Sequence, residues 1–209
     1  MKKAILFDLD GTLLDTLQDL HNSVNHALES MGYPKRSLEE VRRFVGNGAK
    51  LLMERAVPEN GDAAEALARF RAHYDANCRA LTKPYEGIPE ALAELSGEYR
   101  IAIVSNKPDP AVKALCADFF PGIYALGERA DCPRKPAQDM VKKAMAAIGA
   151  ESCVYVGDSE VDVLTAQNAG VPCLSVLWGF RDKEDMTAVG GNHFCEHPAE
   201  LAREVRKLI

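Results

Sequence analysis

The chain has no long apolar run. The longest such stretch in its 209 residues, around Val171–Phe180, falls short of the ~20 residues that span a bilayer. At the start, Asp8 cuts the run Ala4–Phe7 that follows Lys2-Lys3, whereas a secretory signal needs roughly 7–15 apolar residues. No membrane partner is expected. Basic charge is in deficit, with 25 Lys and Arg against 31 Asp and Glu and a net charge of −6, and no dense basic stretch recurs, which argues against nucleic acid. The six cysteines (Cys78, Cys116, Cys132, Cys153, Cys173, Cys195) form no C-x-x-C pair and have no accompanying histidine spacing. That argues against zinc and leaves reduced, mostly buried thiols in a cytoplasmic protein as the expectation. Proline, glycine and serine are not in the excess that marks disorder, and no internal repeat is visible.

What is present is an alternation. Short apolar runs at Ala4–Phe7, Ile101–Val104, Ile123–Leu126, Val154–Val156 and Cys173–Leu177 are separated by helical patterns, the signature of a parallel α/β sheet. Val141, Ala144, Met145 and Ile148 repeat at helical spacing and end at Gly149, and Leu201, Val205 and Leu208 form a last stripe. One segment breaks the alternation. Between the first strand and Ile101 the sequence is helical throughout: a stripe of Leu13, Leu17, Leu20, Val24, Leu28 and Met31, a capping box Ser37-Leu38-Glu39-Glu40, a helix after Gly48, and Leu67, Phe70, Tyr74, Cys78 and Leu81. The expected fold is a Rossmann-like parallel-sheet core, residues 1–14 and 84–209, with an inserted all-α helical-bundle cap, residues 15–83.

Asp8 and Asp10 close the first apolar run, and alternation along a strand points both carboxylates the same way. Two such charges ~4 Å apart repel by about 4 kcal/mol at an effective dielectric of 20, so the pair needs a cation or a shared proton. Gly11 and Thr12 then permit a tight turn at the carboxyl end of the strand, where open α/β sheets bind ligands. Ser105-Asn106-Lys107 follows a second apolar strand, Arg134-Lys135-Pro136 precedes a helix, and Val154-Tyr155-Val156-Gly157-Asp158-Ser159-Glu160-Val161-Asp162 is a strand ending in two acids four residues apart.

The block Phe7-Asp8-Leu9-Asp10-Gly11-Thr12-Leu13-Leu14-Asp15-Thr16, with these three stretches following in order, resembles the motifs of the haloacid dehalogenase-like superfamily. The resemblance implies a phosphatase in which Asp8 is the nucleophile and Asp10 the acid that protonates the leaving oxygen and then activates water. It also implies that Ser105, a backbone N–H at Asn106 and Lys135 hold the phosphoryl oxygens; the lysine directly before proline is the family's, which selects Lys135 over Arg134. Asp8, the carbonyl of Asp10 and Asp158 would hold a metal, and oxygen ligation with retained waters suits Mg²⁺. Asp162 would fix Lys135 or a metal-bound water. Gln138 departs from the family's second proline in this loop. An acid at Asp10 separates the chain from the superfamily's metal-free dehalogenases.

Phe44-Val45-Gly46-Asn47-Gly48 and Trp178-Gly179-Phe180 are similar to loops of phosphoglycolate phosphatases, so the resemblance extends to a small phosphorylated metabolite, 2-phosphoglycolate, as substrate. Gly46, Asn47 and Gly48 would approach it closely, and Lys50, Arg42, Arg43 or Arg55 would meet its carboxylate. The same two glycines also serve simply to separate two helices. A β-phosphoglucomutase-like phosphomutase, a pyrophosphatase or a nucleotidase shares the core motifs.

Overall fold

The computed structural model describes residues 2–209. In chain order the first half runs β1 (Lys3–Phe7), β2 (Leu14–Asp15), α1 (Leu17–Ser30), α2 (Leu38–Phe44), α3 (Gly48–Ala56), α4 (Ala63–Asn77), β3 (Lys83–Pro84), α5 (Ile88–Ser96) and β4 (Arg100–Pro108). The second half runs α6 (Asp109–Phe119), β5 (Tyr124–Glu128), α7 (Asp139–Ile148), β6 (Ser152–Gly157), α8 (Glu160–Ala169), β7 (Cys173–Val176), α9 (Lys183–Ala188), β8 (Phe194–Cys195) and α10 (Leu201–Arg206).

β1 is apolar on both faces, and this places it in the middle of a sheet. Ala4 and Leu6 join one core cluster and Ile5 and Phe7 the other, on opposite sides of the sheet, all fully buried. Its edges pair in parallel with β4 (Ile5 opposite Ile101) and with β6 (Ile5 opposite Val154). The whole sheet has the order β5-β4-β1-β6-β7-β8, every pair parallel. From β1 the chain builds outward through β4 and β5, then returns to the other side of β1 for β6. Strand order reverses there, and the carboxyl ends of β1, β4 and β6 flank the crevice such a reversal opens. β2, β3 and β8 are two residues each, too short to carry a period, and so leave no signal in the sequence; the first two fall within the stretch that reads as helical.

The inserted bundle stands where the sequence indicated an all-helical stretch. α1 packs against α4, and α2 and α3 complete the layer. The capping box at Ser37 and Glu40 starts α2, and the Asp62 side chain accepts the Ala64 and Glu65 N–H groups to start α4. Entry to and exit from the bundle run side by side as the antiparallel pair β2–β3, Asp15 opposite Lys83. Beside them the buried Asp19 of α1 accepts the N–H groups of Leu81 and Thr82 and the Thr82 hydroxyl, tying the two ends of the insertion together. Among the described residues no helix is long and apolar enough to cross a membrane, and all six cysteines are free.

Candidate active site

β1 ends at Phe7, so Asp8 and Asp10 lie just beyond the strand rather than within it. A turn sets their positions: the Leu9 carbonyl accepts the N–H groups of Leu13 and Leu14, and Gly11, at φ +81°, makes the reversal. Both acids line a cavity between sheet and bundle. Asp8 Oδ1 accepts the Leu9 N–H at 2.7 Å and Oδ2 lies 2.9 Å from Lys135 Nζ. Asp10 takes Lys107 Nζ at 2.7 and 3.0 Å and the Thr16 hydroxyl at 2.7 Å. Each carboxylate therefore meets a different ammonium, but Lys135 is shared with Asp162 and Asp10 still adds to the upward push on Asp8.

A defect in the sheet delivers the second stretch. Val104 pairs with Leu126 and Pro108 with Glu128, so four steps along β4 face two along β5. The extra length bulges out Ser105, Asn106 and Lys107, and bulges re-aim side chains at sites of this kind. Ser105 is buried with its Oγ accepting the Lys107 N–H at 3.3 Å. The Asn106 side chain is fully used: Oδ1 accepts the Lys135 N–H at 2.9 Å, and Nδ2 donates to the carbonyls of Lys135 and Gly46. It positions the lysine loop, and only its main chain remains available to a ligand.

Lys135 is buried between two carboxylates, 2.9 Å from Asp8 and 2.8 Å from Asp162. Burial alone would lower its pKa, but Asp162 and Asp8 hold it well above the usual lysine range. Asp162, in the first turn of α8, also accepts the N–H and hydroxyl of Ser159 on Oδ2. Asp158 is wrapped: Thr12 Oγ1 donates to one oxygen at 2.9 Å and the Phe180 N–H to the other at 2.8 Å. Glycine is required around it, since a Cβ at Gly179 would fall 2.3 Å from Asp158 Cβ, and one at Gly11 2.3 Å from its Oδ2. The Trp178 indole N–H bonds the Thr12 carbonyl at 3.0 Å and so ties this loop to the first.

Carboxylate oxygens of Asp8, Asp158 and Asp162 lie within 4.8 Å of one another. Burial, opposed by Lys135 and reinforced by the neighbouring acids, pushes Asp8 up to about 8. Burial and Asp162, against the Phe180 and Thr12 hydrogen bonds, push Asp158 up to about 7. Acids forced this far from their ordinary range lack positive charge. A hard divalent cation fits that deficit, and the all-oxygen donor set suits it.

The residues expected to set specificity divide. Gly46 and Gly48 line the cavity; Asn47 and Lys50 do not. Asn47 accepts Arg55, and Lys50 is 70% exposed at its side chain beside Glu54. Arg43 pairs with Glu39 and Arg42 with Asp182. Residues that the sequence did not single out stand in their place. Lys107 and Tyr74 line the wall beside Asp10, and Arg181 bonds Glu160 and the carbonyls of Arg42, Arg43 and Val45, joining the loop after β7 to the end of α2. Only the position of Lys107, directly after Ser105-Asn106, offered a local signal.

An acid pair at the switch point, a buried lysine on one of them and a further acid at the end of β6 define the class. The chain belongs to the haloacid dehalogenase-like hydrolase family, whose model matches residues 5–176. A phosphoglycolate phosphatase of Cereibacter sphaeroides is 39% identical over 190 residues, covering 85% of this chain and 86% of its own. Phosphoglycolate phosphatase 1 of Pseudomonas aeruginosa is 36% identical over 86% of this chain and 71% of its own. A solved structure from Lactobacillus delbrueckii subsp. bulgaricus, provisionally assigned as a phosphoglycolate phosphatase, superposes with a TM-score of 0.91 at 31% identity, over 98% of this chain and 99% of that one. Family and relatives together make this chain a phosphoric monoester hydrolase.

Proposed function

We propose that the protein is a Mg²⁺-dependent phosphatase that hydrolyses 2-phosphoglycolate through an aspartyl-phosphate on Asp8. The observation that carries this reading is the separate setting of the two leading acids. Asp8 is clamped by Lys135, and Asp10 is held on the adjoining wall by Lys107 and Thr16. That separation supports attack by the first and proton transfer by the second.

An Asp8 carboxylate oxygen attacks phosphorus as the P–O bond to the leaving group breaks, and Asp10 gives its proton to the departing oxygen. Asp10 then takes a proton from water, which attacks the acyl phosphate, frees inorganic phosphate and regenerates Asp8. Lys135, the Ser105 hydroxyl and the Asn106 N–H bind the phosphoryl oxygens, and Asp162 keeps Lys135 turned toward Asp8. The side chains of Asp8 and Asp158 and the carbonyl of Asp10 would hold the metal. When bound, Mg²⁺ supplies positive charge to the transferring phosphoryl group and to the buried acids.

The core, residues 1–14 and 84–209, carries the chemistry, and the cap, residues 15–83, closes over it about Asp15–Thr16 and Lys83–Pro84. Six free cysteines support a reducing, cytoplasmic setting. The test is a panel of phosphoesters with Mg²⁺. Phosphate release from 2-phosphoglycolate above all others is expected. Isomerised sugar phosphate without phosphate release would make it a mutase, and preference for pyrophosphate or nucleotides would replace the substrate.

A further inference from the structure

The wall of the cavity that faces the bundle is largely apolar, with Leu20, Leu52, Phe70 and Ala111 along it. Three polar side chains interrupt it, the acid Asp75 and two that can donate, Tyr74 and Lys107. Tyr74 of α4 is 4% exposed, and its hydroxyl is buried without a hydrogen-bond partner. The other such side-chain atom among the described residues, Ser175 Oγ, is not on the cavity. Burial pushes the Tyr74 hydroxyl above its ordinary pKa, so it remains a donor at neutral pH. The Lys107 ammonium lies 4.7 Å from the centroid of the Tyr74 ring. It meets both oxygens of Asp10, and an ammonium has three N–H donors, so one is left over. The other cations near the cavity are occupied: Lys135 lies between Asp8 and Asp162, and Arg181 bonds Glu160 and three carbonyls.

Distance fixes what these two donors can reach. A proton donor at Asp10 sits one hydrogen bond from the ester oxygen, and Lys107 one hydrogen bond from Asp10, so Lys107 Nζ comes within ~6 Å of that oxygen. In the phosphate ester of a two-carbon hydroxy acid, three bonds separate the ester oxygen from each carboxylate oxygen, roughly 3–3.6 Å. A carboxylate there falls within hydrogen-bond reach of Lys107, and an unpaired buried hydroxyl beside it completes an anion site.

We infer that Lys107 and Tyr74 form a leaving-group subsite that binds the carboxylate of a short phosphorylated hydroxy acid. The inference rests on the phosphatase reading above and names the residues that select within it. Gly46 and Gly48 then shape the cavity without supplying the counter-charge.

The test compares kcat/KM for 2-phosphoglycolate and ethyl phosphate, which carries a methyl group where the carboxylate stands. The native enzyme is expected to favour the acid by ~100-fold or more, and Tyr74→Phe to cut that ratio ~10-fold. Lys107→Gln should cut the ratio further. A ratio unchanged in Tyr74→Phe, or a Lys107→Gln loss equal on both esters, as positioning of Asp10 alone would give, overturns the subsite while leaving the phosphatase reading intact. Phosphate released from neither ester overturns the phosphoglycolate reading, and this inference with it. Tyr74→Phe removes an oxygen that has no partner, so its fold is expected to survive; a melting curve matching the native one checks this.

Discussion

Replacing Asp8 with Asn should destroy turnover and yet stabilise the metal-free protein. The buried carboxyl is raised from 3.8 to about 8. A raised acid contributes stability in its neutral form, complete below the unfolded value near 4 and lost as pH climbs through about 8. At 1.36 kcal/mol per decade, the penalty borne by the ionised native site at higher pH has an upper bound of about 6 kcal/mol. Asparagine keeps the shape and the acceptor for Leu9, while Lys135 keeps Asp162 at 2.8 Å. The new amide N–H₂ faces the Lys135 ammonium, however, and solvent relaxation reduces the penalty further, so we expect a net gain of about 2 kcal/mol at about pH 8.5. For a chain of this size that is a rise in Tm of about 4–8 °C. At about pH 5 the native carboxyl is protonated while the unfolded one is ionised, so the gain should fall to roughly a third, and it should vanish below about pH 4. Thermal denaturation in chelator at the two pH values reads this directly, and saturating Mg²⁺ should shrink the difference by stabilising the native site more than the variant. An Asp8→Asn protein no more stable than the native one at the higher pH, or equally stabilised at both, would refute the view of this site as a cluster of under-neutralised buried acids.

Two further variants probe the surroundings of that cluster. Gly179→Ala drives a Cβ to within 2.3 Å of Asp158 Cβ and 2.5 Å of the Gly11 carbonyl. Displacement of this order from productive geometry should lower kcat ~100-fold; a rate within threefold of native at saturating Mg²⁺ would show that Asp158 need not be held so tightly. Arg181→Ala removes the bonds from the loop after β7 to the Arg42, Arg43 and Val45 carbonyls and to Glu160. KM should rise ~10-fold with a smaller change in kcat, and solution scattering should report a larger radius. Scattering identical to the native protein would remove Arg181 as a tie between cap and core.

Much of this architecture is written locally. β1, β6 and β7 are short, apolar and bounded by turn residues, so their runs show in the sequence, and the helical insertion shows because Leu20, Val24 and Leu28 keep a helical period that no strand has. Asp8, Asp10, Ser105, Lys135 and Asp158 each follow or flank a legible element. What stayed hidden depends on contacts between distant segments. The bulge that turns Lys107 toward Asp10 exists only in the register of β4 against β5. Tyr74 reads as one more residue of an apolar stripe, and its hydroxyl gains meaning only when α4 is laid over the sheet. Arg181 follows Trp178-Gly179-Phe180 with nothing local to mark it, because its partners lie at residues 42–45 and 160. A basic residue beside a glycine turn, as at Lys50, suits a carboxylate, but its place on α3 turns it to solvent.

The most direct measurement is chemical capture of the phosphoenzyme. Rapid quenching during turnover of unlabelled substrate, followed by reduction with tritiated borohydride, which displaces the phosphate and converts the acylated aspartate to homoserine, and by peptide mapping, should place the tritium at Asp8 in the native protein and leave Asp8→Asn unmodified. Label recovered on any other residue, or full turnover by Asp8→Asn, would contradict nucleophilic attack from the end of the first strand.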